Sequence, residues 1–221
     1  MRMRTSTLLR FLFPVPILAL ASILAGCDSD SDATDFLDTV ETQIVADIPA
    51  DPVVGVDSLG RPVGSGRATF FDLSGNAVVA ASDSATANWD IGFRATTILV
   101  NGGTSGPGSA SAQVIVGVFE ELAEAPVDGY VQDGLGGHAV PAGSGNGWYN
   151  YNPALNLVTP IPGRFLVVKT SDGLYTKIKM LSYYRGAPTN VDPVTDEARY
   201  VTFEYVIQQD GSRLFADDQT D

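Results

Sequence analysis

Imidazole is the commonest metal ligand among side chains, and this 221-residue protein has only one, His138. It sits in "GLGGHAVPAGSGNGWYNY", Gly134 to Tyr151, among six glycines and just ahead of Trp148, Tyr149 and Tyr151. Two readings are open. The segment is a ligand-binding loop, or His138 is an ordinary loop residue with a local hydrogen bond. Other chemistry is sparse. No G-x-S-x-G elbow is present. The only cysteine, Cys27, lies near the N-terminus, and zinc sites need Cys or His ligands close together. "GGTSGPG" has the composition of a phosphate loop but lacks its Lys-Ser/Thr ending. Glu120 and Glu121 are chain neighbours, which on a strand point to opposite faces. These absences speak for a binding protein and against an enzyme.

The elements that must carry the loop read as β-structure. "RATFFDLSGNAVVA" (67–80) is two extended halves around the turn signal "SGN". In "NWDIGFR" Trp89, Ile91 and Phe93 alternate with Asp90, Gly92 and Arg94, the period of a half-buried strand. "NGGTSGPGSAS" (101–111) is a turn-rich loop in which Asn101, Gly102 and Gly103 suit positive-φ positions. "AQVIVGVF" reads as a core strand, and "EELAEAPVDGYVQ" as a short helical turn before Pro126. Residues 132–147 form a long loop, a feature often functional in compact domains. "GRFLVVKTSDGLYTKIKMLSYY" (163–184) is a hairpin around "SDG", with Lys177 and Lys179 on a wet face and Ile178 and Met180 on a dry one. Strict alternation also sends Tyr183 and Tyr184 to opposite faces. "ARYVTFEYVIQQDGSRLF" (198–215) adds a last alternating strand, with a terminal hairpin at "QDG". No long amphipathic helical pattern is visible after the N-terminal segment. The fold class is all-β, a single domain of antiparallel strands and hairpins with long loops.

The N-terminus reads as an export signal. "MRMRTSTLLR" is basic, "FLFPVPILALASILAG" is apolar and broken by Pro14 and Pro16, and Cys27 follows directly. The junction "LAGC" resembles a bacterial lipobox, in which the cysteine becomes the acylated N-terminus. An unpaired Cys27 suits that role, since no internal disulfide is open to it. The organisation expected is residues 1–26 as signal peptide, 27–43 as acylated cysteine and acidic flexible tether, and 44–221 as the β domain. "DSDSDATDFLDTVE" is too acidic to fold alone. It also fails as a calcium loop, with Ala33 where glycine and Thr39 where an acid belongs. The formal net charge is -13 before cleavage, and cleavage removes Arg2, Arg4 and Arg10. Such a surface excludes nucleic acid and anionic lipid as partners. Membrane contact is through the lipid anchor alone.

Three blocks in order, "WDIGFR" (89–94), "NGGTSG" (101–106) and "VVKTSDGLYTKIKMLSYY" (167–184), resemble the HmuY family of bacterial lipoproteins. The resemblance runs from about residue 67 to 208. It implies an all-β, hand-shaped fold that grips haem between loops. It also implies transfer of haem to a TonB-dependent outer-membrane receptor, and the acidic tract after Cys27 resembles those of lipoproteins exposed at the cell surface of the outer membrane. The blocks themselves look architectural: Trp89 reads as a core anchor, and Asp90 as a tie to a neighbouring turn. The best-known family pattern uses two histidines as axial ligands, and this chain has one. The candidate haem-binding residues are therefore His138, Met180, Tyr149, Tyr151 and Trp148. His138 could pair with Met180, bind alone with water or a tyrosine opposite, or meet a second His138 from another molecule. Trp148, Tyr149 and Tyr151 could flank a porphyrin or anchor strands. Arg164 and Arg185 could hold propionates or pair with acids. The alternative is a surface lipoprotein of the same scaffold that takes a ligand other than haem or serves a structural role, docking on an outer-membrane partner.

Overall fold

The computed structural model describes residue 40 and residues 42–215. The signal, Cys27 and nearly all of the tether lie outside the described residues. Thirteen strands follow in chain order: β1 (Thr42–Pro49), β2 (Val53–Val56), β3 (Pro62–Gly64), β4 (Thr69–Asp72), β5 (Ala77–Val79), β6 (Ile91–Arg94), β7 (Thr97–Val100), β8 (Ser111–Val116), β9 (Tyr149–Asn152), β10 (Leu157–Pro160), β11 (Arg164–Lys169), β12 (Tyr175–Tyr184) and β13 (Ala198–Gln208). The only helical element among the described residues is the 3-10 turn Ala81–Asp83. The fold is all-β, as the periodicity predicts.

A five-stranded antiparallel sheet has the order β1-β13-β12-β11-β8, and a four-stranded sheet the order β5-β4-β6-β7. Both expected hairpins form. β4 turns into β5 with Asn76 at φ 48, and β11 turns into β12 through Gly173 at φ 88. The sheets meet through aromatic rings: Phe71 of β4 and Phe93 of β6 lie 5.5 and 5.4 Å from Phe203 of β13. Tyr205 seals the joint, its hydroxyl donating to the Leu73 carbonyl at 3.1 Å. Trp89 is fully buried, and its indole N–H donates to Ser84 O. Asp90 does tie turns together. One carboxylate oxygen accepts the Leu73 N–H at 3.0 Å, and the other the Ser171 N–H at 2.9 Å.

The five-stranded sheet is covered on both faces, which corrects two expectations. A second cluster of Phe119, Ala125, Phe165, Val167, Val206 and Phe215 lies on the face read as wet. Lys177 is buried beneath it. Its ammonium donates to Phe119 O at 2.8 Å and Leu122 O at 3.0 Å and lies over the rings of Phe119 and Phe215. Burial lowers its pKa. Only Lys179 reaches water, paired with Glu120 and Glu204. Likewise Tyr183 and Tyr184 are both buried, because the pairing with β13 slips between Met180 and Tyr184 and breaks strict alternation. The "NWDIGFR" strand is closed on both sides too, since Asp90 and Gly92 are buried with Ile91 and Phe93. The segment before Pro126 holds the single turn expected there, closed by Glu121 N–H to Val118 O. After "QDG" the chain bridges to Glu124 through Leu214 instead of forming a hairpin.

Candidate functional site

The loop from 132 to 147 contains no strand, yet it is pinned at both ends. Its first anchor is Asp133, whose side chain is fully buried. Asp133 Oδ2 accepts the Val100 N–H at the end of β7 (3.0 Å), and Oδ1 accepts the Ala139 N–H (2.7 Å). Its backbone joins Gly103 in a parallel bridge, and its carbonyl accepts the Thr104 N–H. Gly103 has φ +63, and a Cβ there would stand 1.9 Å from the Asp133 carbonyl oxygen. Only glycine permits that approach. The second anchor is Arg164, which donates through Nη1 to the carbonyls of Gly145 and Gly147 at 2.7 and 2.9 Å. It is a loop clamp and not a free cation. Arg185 is likewise engaged, with Glu197.

Between the anchors the chain makes a tight reversal. Gly134 and Gly137 exchange both backbone hydrogen bonds. This leaves Leu135 at the tip with a relative exposure of 102%. His138 follows directly. Its Nδ1 is buried and lies 3.2 Å from Asp133 Oδ2, off the line of a well-formed hydrogen bond. The side chain as a whole is 29% exposed. A small turn of the ring would let Nδ1–H donate to that carboxylate, the tautomer that keeps the Nε2 lone pair for a ligand. Carboxylate-backed imidazole is the arrangement in which histidine ligates metals, so His138 fits one axial position of a haem iron.

The other candidates are not gathered around it. Met180 is buried in the main core, opposite Phe203 on β13. The 480 Å³ groove whose wall it joins contains no residue of the His138 loop. This corrects the His138/Met180 pair: the thioether fills core space, as methionine commonly does. Trp148 is buried, its indole N–H donating to Thr96 O at 2.9 Å, and packs on Tyr149 and Tyr183. It is a strand anchor rather than a porphyrin wall. Tyr149 and Tyr151 line a separate cleft of 630 Å³, and His138 does not.

Two features escaped sequence reasoning. Asp133 precedes His138 by five residues, and no motif marks a buried carboxylate in a glycine-rich loop. The cleft draws its tyrosines from β9, β12 and β13, segments that only the folded topology brings together.

No curated protein matches the sequence at a significant level. Solved structures resemble the chain at low identity. An HmuY-like protein from Bacteroides vulgatus, a candidate haem binder, is 14% identical with a TM-score of 0.49, covering 76% of this chain and 92% of its own. The apo HmuY analog of Tannerella forsythia is 14% identical with a TM-score of 0.43, covering 76% of this chain and 95% of its own. The family model described as HmuY protein matches residues 66–205, well over half of the sequence, and the chain therefore belongs to the HmuY family.

Proposed function

We propose that this protein binds haem or a related tetrapyrrole through His138 and delivers it to an outer-membrane receptor. The observation that carries the reading is the His138–Asp133 contact. A buried carboxylate, itself fixed by two backbone N–H groups, stands 3.2 Å behind the imidazole Nδ1. The far side of the ring is left for iron. Leu135, fully exposed three residues away, supplies an apolar contact for the macrocycle edge. Membership of the HmuY family supports binding rather than catalysis as the task. Bound haem would bring the redox and coordination chemistry of its iron. The chain's own part is to offer one axial imidazole, backed by the Asp133 carboxylate, and to shield one edge of the ring. The opposite axial position falls to water or to a second copy of His138, because Met180 is committed to the core. Acylation at Cys27 would tether the protein to the outer membrane, facing the cell exterior.

Titration of the purified protein with ferric hemin, followed at the Soret band, tests this reading. A saturable band is expected. His138→Ala should weaken it at least about tenfold, the loss of one directional ligand. Met180→Leu should leave it unchanged. A band unaltered by His138→Ala would overturn the assignment of the axial ligand. Absence of any specific band would leave the non-haem reading of the same scaffold.

A further inference from the structure

The 630 Å³ cleft is within the ordinary size range of small-ligand sites and is lined by Tyr149, Tyr151, Tyr183, Tyr184 and Tyr200. Tyr149, Tyr183 and Tyr184 are more than nine-tenths buried and form its floor, while Tyr151 stands at the rim with 42% exposure. The Tyr184 hydroxyl accepts the Val158 N–H at 3.0 Å, so its own hydrogen is still to be donated. The Tyr183 hydroxyl lies beside the Arg199 side chain, which can only donate to it, so its hydrogen too is free for a ligand. Burial pushes both phenols up in pKa, so they remain protonated donors and not phenolate ligands. A ligand oxygen seated in the cleft would accept from them.

Charge in the wall is answered inside the protein. Arg199 Nη1 donates to Asp51 O at 3.0 Å and lies 3.6 Å from Asp51 Oδ2. Glu197 pairs with Arg185, and Asp196 accepts the Asp192 N–H. The rim still offers acceptors: Asn156, which takes the Tyr151 hydroxyl at 3.1 Å, and the remaining lone pairs of Asp196 and Glu197. Donors below, acceptors above and ring faces between suit a ligand whose polar groups both donate and accept on an apolar frame. That is the chemistry of hydroxylated sugar rings. A porphyrin, with two carboxylates and an iron to ligate, meets neither a free cation nor an imidazole here.

We infer that this tyrosine-lined cleft is a binding site for a neutral oligosaccharide, separate from His138. It stands independently of the haem reading. Binding of the purified protein to an array of neutral and acidic oligosaccharides tests it, with titration calorimetry on the best-retained neutral glycan. Saturable binding to neutral glycans is expected. Tyr151→Ala and Tyr200→Ala should each weaken it about tenfold, the loss of one stacking ring with its hydroxyl. His138→Ala should leave it unchanged. Retention of no neutral glycan, or affinity unmoved by both tyrosine variants, would overturn the inference. Hemin competing for the same cleft would also overturn it.

Discussion

At the scale of single residues, side chains do work that the sequence assigns to the backbone. Asn101 reads as a positive-φ turn residue, yet its backbone is not in that region. It is fully buried, and its amide N–H donors reach Thr86 O at 3.0 Å and Trp89 O at 2.7 Å while its Oδ1 accepts the Gly108 N–H at 2.9 Å. Every polar position of the amide is used. Asn101→Asp keeps the shape but sets a carboxylate against two carbonyls. We expect it to cost on the order of 3 kcal/mol, since two bonds are lost and a charge is buried unpaired. Urea unfolding measures this, and a cost below that of a single lost hydrogen bond would sink the account. His138 was legible because a lone imidazole in a long loop is conspicuous. Its partner Asp133 was not, because a buried aspartate has the same letter as the many exposed ones in this acidic chain.

At the scale of elements, the hairpins at "SGN" and "SDG" were legible because turn chemistry is local and the flanking alternation is regular. Burial was less so. Period two reports that a strand has two faces, not what covers them, and a second cluster over Lys177 cannot be read from β12 alone. A bulge further defeats strict alternation, which is how Tyr183 and Tyr184 come to share the core. The loop 132–147 depends on an element distant in sequence. Gly103 lets the turn after β7 lie against Asp133, and Asp133 backs His138. Gly103→Ala places a methyl 1.9 Å from a carbonyl at a positive φ, so the bridge must open. A cost of about 3 kcal/mol is expected from strain and overpacking together. Hemin affinity should fall with it, although residue 103 touches no ligand. Thermal unfolding and the Soret titration read the two effects. Intact hemin binding in a destabilised Gly103→Ala protein would show that Asp133 does not position His138.

At the scale of the whole molecule, Asp90 links the two sheets, joining the β4–β5 turn to the β11–β12 turn. Burial pushes its carboxyl up to about 6, against two backbone hydrogen bonds that lower it, with Asp72 and Asp172 adding repulsion. Between pH 4 and 6 the folded chain therefore keeps a proton that the unfolded chain releases. Folding takes up that proton, so this group's contribution to stability falls as pH rises through the window and is lowest above it. The span corresponds to on the order of 3 kcal/mol. Denaturation at successive pH values from 4 to 7, wild type beside Asp90→Asn, isolates it. The stability of the wild type relative to the variant should decline with rising pH. A rising difference would show that the N–H bonds outweigh burial.

The first strand of the domain has as its partner the last. β1 lies along β13 from Thr42 opposite Val206 to Pro49 opposite Tyr200, and nothing else borders it in the sheet. A ribosome or a translocation channel releases these strands at opposite ends of the process. Until residue 208 has emerged, Thr42–Pro49 has no edge to join, and the closure must span nearly the whole domain. The large sheet is therefore completed only when its C-terminal strand is released. In any chain that emerges N-terminus first, that schedule makes the docking of β13 beside β1 the last step of folding.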